Sequence, residues 1–221
     1  MDPKRIIAIG DIHGCLRALD TLLDAVQLGP QDRVITLGDY IDRGPDSRGV
    51  IDRLIQLSLT VPLTPLLGNH EEMLLSVVDG EARPQLWLPH GGVATLDSYG
   101  FTDSLDCIPQ SHISFMRNCV TWVELDRHFF VHANYDPGLP LDEQSPYKLR
   151  WESLVARMPG PHQSGKIAVV GHTPDRNGEI LDVGYLKCID TYCYGGKWLT
   201  AVDLLTGQSW QANQQGQLRD P

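Results

Sequence analysis

Long hydrophobic runs are absent from this 221-residue sequence, and neither end carries a charged segment followed by an apolar one. A membrane-spanning helix needs roughly 20 consecutive apolar residues, and a secretory signal has the second pattern. We therefore expect a cytoplasmic protein with no membrane partner. The five cysteines are scattered and form no C-x-x-C pair, which disfavours a disulfide framework and a zinc knuckle.

Positive charge is also scarce in this chain. There are 18 Lys and Arg residues against 28 Asp and Glu residues, a formal net charge of -10. Because this excess disfavours nonspecific binding to nucleic acid, we expect no nucleic-acid partner. The 42% of hydrophobic residues is enough for one sizeable core, and we predict a single domain over residues 1–221.

Three segments of the first half repeat one pattern, in which a short apolar run is followed by a polar loop and then by an amphipathic helix. The apolar runs cover residues 6–9, 34–37 and 64–67, and helical spacing of apolar residues predicts helices over 15–27, 47–57 and 71–78. Such βαβ units build a parallel sheet, and the ligand crevice lies outside the carboxyl ends of its strands.

The second half predicts further strands, at residues 119–125, 128–131, 167–170, 186–189, 198–204 and 208–212. We expect the last three of these to be antiparallel. Residues 79–118 are irregular, and we interpret them as a helical excursion that forms a wall of the site. The fold class is therefore α/β, with a mixed two-sheet core and helices outside.

Side chains that bind metals follow the apolar runs, and they carry oxygen or imidazole donors without thiolates. Such donors suit divalent ions such as manganese, iron, zinc or cobalt. We predict two ion sites that share the Asp39 carboxylate. The candidate ligands are Asp11, His13 and Asp39 for one ion, and Asp39, Asn69, His132 and His172 for the other. A bridged pair of ions about 3.5 to 4 Å apart suits in-line displacement at phosphorus by a water between them.

Four further residues complete the predicted chemistry. Arg43 has the fork geometry that binds two phosphate oxygens, and Arg150 is the candidate for a second arm. His70 follows a predicted ligand directly and need not bind metal. Paired with Asp42, it could stay protonated and donate to the departing alkoxide as a general acid.

The motifs GDIHG at residues 10–14, GDYIDRG at 38–44 and GNHE at 68–71 resemble the signatures of the PPP-type, calcineurin-like metallophosphatases. That superfamily includes serine/threonine protein phosphatases, among them bacterial-type ones, and diadenosine tetraphosphate hydrolases. The resemblance implies a central mixed β-sandwich flanked by helices, in four αββα layers. It also implies the six metal ligands named above, phosphate binding by Arg43 and acid catalysis by His70. Tyr192 and Cys193 resemble a loop that overhangs the site in eukaryotic members.

The sequence leaves the substrate open. The favoured hypothesis is a serine/threonine protein phosphatase, active also on phosphotyrosine, with two manganese ions and with iron or zinc as alternatives. The second is a hydrolase of dinucleoside polyphosphates, or a broad phosphomonoesterase for small substrates. A noncatalytic binding module is the third. The remaining histidines, His90, His112, His128 and His162, are interpreted as satisfied core residues, although residues 90–92 could also line the substrate side.

Overall fold

The computed structural model describes residues 3–220, so the first two residues and the last residue of the predicted domain lie outside it. Two five-stranded mixed sheets form the centre of the structure. Apolar side chains from both sheets, among them Ile35, Phe130 and Val169, are fully buried in one cluster between them. A second cluster joins the first sheet to its helices. The predicted sandwich flanked by helices is therefore confirmed.

The first sheet has the order β10-β9-β1-β2-β3. Its strands are β1 Ile6–Ile9, β2 Arg33–Thr36, β3 Leu63–Pro65, β9 Leu199–Asp203 and β10 Ser209–Ala212. The first three are parallel, as the βαβ pattern predicts, whereas β9 pairs antiparallel with β1 and β10 pairs antiparallel with β9. The carboxyl ends of β1, β2 and β3 therefore lie side by side.

The second sheet has the order β4-β5-β6-β8-β7. Its strands are β4 Trp122–Glu124, β5 His128–Val131, β6 Ile167–Val170, β7 Leu181–Asp182 and β8 Leu186–Cys188. The expected antiparallel direction is wrong for β8, which pairs parallel with β6. The chain from 171 to 185 is long enough to return to the start of β6, which a parallel neighbour requires.

Six α-helices pack around the sheets in the described part of the chain. They are α1 Leu16–Val26, α2 Ser47–Ser58, α3 Asn69–Val78, α4 Gly92–Tyr99, α5 Gln110–Arg117 and α6 Pro146–Arg150. Helix α1 buries Leu19, Leu22 and Val26 on one face, because these residues recur at helical spacing. Helices α4 and α5 lie within the predicted helical excursion. Among the described residues, none of these helices has the length and apolar character that crossing a membrane requires.

Candidate metal centre

Five of the predicted site residues occupy strained backbone. His13, Asp39, Asp42, Arg43 and His172 all have positive φ angles, between 44° and 71°. A side chain other than glycine rarely adopts this conformation, and such residues concentrate at functional sites because the surrounding structure must hold them there. The strained conformations indicate that neighbouring residues hold this site in place.

Two glycines allow the loops after β2 and β3 to touch. Gly38 has a φ of +98°, and a Cβ there would lie 2.7 Å from the Gly68 nitrogen. A Cβ on Gly68 would lie 2.3 Å from the Asp39 Oδ1 atom. Since real Cβ atoms do not approach so closely, the glycines are what bring Asp39 against the start of α3.

The carboxylate of Glu71 holds the loop after β2 in place. Its Oε1 accepts hydrogen bonds from the backbone N–H groups of Tyr40 at 2.7 Å and Ile41 at 3.2 Å. Its Oε2 accepts from those of Asp39 at 2.9 Å and Gly68 at 3.2 Å. Because the side chain is fully buried, these four bonds fix the loop that carries Asp39.

The Asp39 carboxylate lies between two groups of donor atoms. Its Oδ2 is 3.4 Å from His13 Nε2 and 3.8 Å from His70 Nε2, whereas its Oδ1 is 3.3 Å from His132 Nε2. The donors of His13, Asp39 and His70 lie within 4.8 Å of one another, as do those of Asp39, His132 and His172. Each carboxylate oxygen thus faces a separate group.

Lone pairs converge in the second group. His132 Nδ1 is 2.7 Å from the Leu37 carbonyl oxygen, and His172 Nε2 is 3.0 Å from that of Trp151. A carbonyl only accepts, so these two ring nitrogens carry the protons. When neutral, both rings then turn lone pairs toward Asn69 Oδ1, at 3.0 Å and 2.9 Å. Acceptors that face one another in this way fit a cation between them.

The pKa values of the buried groups indicate where charge lies within the site. Burial would lower the pKa of His132, but the Asp39 carboxylate outweighs burial and raises it to about 10. Burial, together with the neighbouring His132, lowers the pKa of His172 to about 4. Burial opposes ionisation of Asp39, yet His132 and His70 hold the pKa of its carboxyl well below the usual value. Asp39 is therefore the anionic centre of the site.

Two further carboxylates lie buried beside this centre, at Asp11 and Asp190. Asp11 Oδ2 accepts from the His172 N–H at 2.9 Å, while Asp11 Oδ1 has no hydrogen-bond partner within the described residues. Burial and mutual repulsion raise the pKa of Asp11 well above its usual value, and burial raises that of Asp190 to about 7. Asp11 belongs to neither of the two groups whose donor atoms lie within 4.8 Å of one another, but an orphaned, buried carboxylate oxygen next to this centre fits divalent cations.

The His70 imidazole is oriented by a buried carboxylate. Its Nδ1 lies 2.6 Å from Asp42 Oδ2, which also accepts from Trp87 Nε1 at 2.8 Å. Asp42 Oδ1 accepts from the Thr95 hydroxyl at 2.6 Å. Trp87 and Thr95 fix the buried Asp42 carboxylate, and this carboxylate in turn orients the His70 ring. His70 Nε2 is then directed toward Asp39.

Arg43 lies at the same site. Its Nη1 is 2.9 Å from His13 Nε2, and its guanidinium stacks 4.5 Å above the Tyr194 ring. The Tyr194 ring also meets His13 edge on, with 4.7 Å between centroids. The expectation for the 192–193 loop therefore shifts by two residues, because Tyr194 and not Tyr192 makes these contacts.

Arg150 is paired in this structure. Its Nε and Nη2 donate to the two carboxylate oxygens of Glu72, at 3.1 Å and 2.7 Å. Trp151 Nε1 donates to the same carboxylate at 2.6 Å, and the Trp151 carbonyl contacts His172. Trp151 thus links this pair to the second donor group, and Glu72 occupies two of the guanidinium's donors.

The other histidines divide three to one. His112, His128 and His162 are buried, as expected. His90 is exposed, and its ring centroid lies 6.5 Å from that of His70, so its interpretation as a core residue is wrong and the alternative, the substrate side, agrees with its position.

Residues that sequence reasoning missed are Glu71 as a loop clamp, Trp87, Thr95, Tyr194 and Asp190. Asp190 follows an apolar strand directly, which is the signal that singled out Asp11.

Comparisons with known proteins agree with this geometry. The calcineurin-like phosphoesterase family model matches residues 4–203. Serine/threonine-protein phosphatase 1 of Salmonella typhimurium is 40% identical over 210 residues, which cover 89% of this chain and 90% of that protein. A symmetrical bis(5'-nucleosyl)-tetraphosphatase of Acidovorax sp. is 42% identical over 80 residues, 36% of this chain but only 28% of that protein.

A solved structure shares the fold. The crystal structure of a cold-active protein tyrosine phosphatase superposes with a TM-score of 0.70 at 17% identity, covering 98% of this chain and 78% of that one. At this identity the likeness concerns the fold alone. The family model, in contrast, spans all three loop motifs and His132 and His172. The chain therefore belongs to the calcineurin-like phosphoesterase family.

Proposed function

We propose that this protein is a two-metal phosphoester hydrolase that removes phosphate from serine and threonine side chains of proteins. The observation that carries the proposal is the Asp39 carboxylate, whose two oxygens face two separate donor groups. One ion would be held by Asp11, His13 and Asp39, and the other by Asp39, Asn69, His132 and His172. We propose that both ions are manganese, with iron or zinc as alternatives that the same donors bind.

Bound divalent ions supply Lewis acidity at a phosphoryl oxygen and lower the pKa of a water that can act as nucleophile. The protein's own groups account for binding and for proton transfer. The Arg43 guanidinium, held in place by Tyr194, would bind phosphate oxygens in its fork. His70 Nε2 would donate a proton to the departing oxygen, because Asp42 fixes the opposite side of the ring.

We assign Arg150 a secondary role in phosphate binding. The pair with Glu72 uses the Nε N–H and one N–H of Nη2, so the other N–H of Nη2 and both of Nη1 are the donors left for a phosphate oxygen. Glu72 fixes the guanidinium through this fork, and Trp151 joins the pair to His172, while Arg150 is 9% exposed. Loss of Arg150 would therefore raise KM more than it lowers kcat.

Two observations favour phosphoproteins as the substrate. A relative that matches along 90% of its own length is named a serine/threonine-protein phosphatase. A groove of about 310 Å³ also opens beside His90, on the side of the proposed acid; its lining is mainly apolar and includes Met73, Val77, Leu86, Trp87 and Trp151. Its lining carboxylate, Glu72, is already paired. Such a groove suits an uncharged peptide side chain better than a nucleoside diphosphate leaving group.

A symmetrical dinucleoside polyphosphate hydrolase is the second candidate. The relative from Nitrosomonas europaea, named as such an enzyme, is 29% identical over 76% of this chain, although the match covers 58% of that protein. The same donor groups and Arg43 would serve this reaction, since they contact only the phosphoryl group. The two candidates differ in the group attached to the phosphoryl group, which is a protein side chain in the first and a nucleoside diphosphate in the second.

Turnover separates the candidates. The manganese-loaded protein is given phosphoserine, phosphothreonine and phosphotyrosine peptides and diadenosine tetraphosphate, and kcat/KM is compared. A tenfold preference, about 1.4 kcal/mol in transition-state stabilisation, for the peptides supports the first proposal, and the same preference for the dinucleotide supports the second. His70→Ala should abolish either activity. The matched control, His128→Ala, should retain it, because His128 begins β5 and lies at the end of that strand away from His132. If no ester is hydrolysed with any metal, both proposals fail.

A further inference from the structure

Asp190 is a buried carboxylate to which the proposed reaction gives no task. It lies just past the carboxyl end of β8 and is only 2% exposed. Its Oδ1 accepts from the Tyr192 N–H at 3.1 Å. Its Oδ2 is buried and has no hydrogen-bond partner among residues 3–220. A buried, ionisable oxygen without a partner is costly, so its retention calls for a ligand.

The position of Asp190 is set by the contact between the two sheets. A Cβ on Gly10 would lie 2.3 Å from the Ile189 carbonyl oxygen, so the backbones at the ends of β1 and β8 touch. Asp11 and Asp190 are the residues that follow these two touching positions. The two residues therefore lie next to each other, at the ends of strands from opposite sheets.

The two carboxylates have the same pattern of hydrogen bonds. In each, one oxygen accepts from a backbone N–H, of His172 for Asp11 and of Tyr192 for Asp190. In each, the other oxygen is buried and unpartnered in the described structure. Two neighbouring carboxyl groups with unpartnered oxygens form half of a cation site, and Asp11 is already a predicted ligand.

We propose that Asp190 is a seventh residue of the metal centre and contributes its free Oδ2 to the coordination shell of the ion held by Asp11 and His13. The inference rests on the proposed two-metal site and adds to it the carboxylate that the sequence motifs omit. A carboxylate in this position raises the affinity of that ion, and its removal should weaken binding 10- to 100-fold, as for other residues that support metal ligands.

Manganese binding tests the inference without reference to activity. Titration calorimetry and manganese electron paramagnetic resonance would count the ions and measure each Kd for the wild type and Asp190→Asn. We expect one Kd to rise by 10- to 100-fold and the other to stay within about threefold. Asp11→Asn should weaken the same ion. The matched control is Asp203→Asn, which alters an equally buried carboxylate whose oxygens accept from the Leu205 N–H and the Thr206 hydroxyl, and it should leave both Kd values unchanged.

Melting temperatures distinguish a ligand from a structural carboxylate. In chelator, Asp190→Asn should melt at or above the wild type, because repulsion between two buried carboxylates is removed, and manganese should then raise its Tm less than that of the wild type. A lower Tm in chelator with an undiminished manganese effect would overturn the inference. If the wild type binds two ions and hydrolyses phosphoesters while Asp190→Asn binds both ions normally, this inference fails alone. If the wild type binds no pair of ions, the proposed function fails with it.

Discussion

Replacement of Glu71 by glutamine should unfasten the loop that carries Asp39. The carboxylate accepts four backbone hydrogen bonds, two on each oxygen, from Asp39, Tyr40, Ile41 and Gly68. Glutamine has nearly the same shape and keeps one carbonyl oxygen for two of these donors. Its NH2 group must then face the other two N–H groups, which places donors against donors in a fully buried position.

The cost follows from the number of bonds. Burial and the neighbouring Asp39 raise the pKa of Glu71 to about 7, so the group is charged above that pH. A hydrogen bond to a charged group contributes about 1.5 to 3 kcal/mol, and two lost bonds then amount to about 3 to 6 kcal/mol. Domains of this kind have about 5 to 15 kcal/mol of total stability. For a chain of this length, 1 kcal/mol corresponds to about 2 to 4 °C in Tm, and the expected decrease is therefore about 6 to 24 °C.

Urea denaturation of the metal-free protein, followed by circular dichroism, measures this change. The matched control is Glu81→Gln, because Glu81 is exposed, and it should stay within about 0.5 kcal/mol of the wild type. Manganese affinity should fall in Glu71→Gln as well, since the loop positions Asp39. If Glu71→Gln unfolds within about 1 kcal/mol of the wild type and binds manganese equally well, the carboxylate does not hold the loop.

Three further predictions concern other parts of the chain. The Arg5 guanidinium donates to Asp32 and lowers the pKa of its carboxyl below the usual 3.8. Asp32→Asn should therefore cost about 1 to 3 kcal/mol at pH 7, and in denaturation curves this difference should vanish as the pH falls below about 4; a constant difference would contradict it. Gly38→Ala should cost about 1 to 3 kcal/mol more than Gly100→Ala, because both have positive φ but only Gly38 meets other atoms within 4 Å; equal costs in urea would refute the close contact. Chelation should lower Tm in calorimetry, by the equivalent of about 2.7 kcal/mol for each ion supplied at 100 times its Kd, and an unchanged Tm would contradict the metal centre.

The local pattern of the sequence was enough to predict the first sheet and its loops. Apolar runs of four residues, such as residues 6–9, are typical of buried strands when helices of amphipathic spacing follow them. The polar residues after such runs then belong to one edge of a parallel sheet. That reasoning brought Asp11, His13, Asp39 and Asn69 to one place without any knowledge of distances.

Contacts between the two sheets were decided by the tertiary structure. The direction of β8 depends on a pairing with β6 that no local period encodes. Asp190 has the same strand-end signal as Asp11, but only the contact of Gly10 with Ile189 reveals that the two carboxylates are neighbours. Likewise, the pairing of Arg150 with Glu72, 78 residues apart, changes which donors of the guanidinium remain for substrate.

The sequence by itself therefore determined which residue types stand at the strand ends, and with them the class of chemistry. The tertiary structure decided how they face one another: Asp39 between two donor groups, His70 fixed by Asp42, and Tyr194 over Arg43. The physical reason is range. Hydrophobic periodicity acts over a few residues and is written locally, whereas hydrogen bonds and charge interactions across the site join positions up to 161 residues apart and exist only after the sheets have packed.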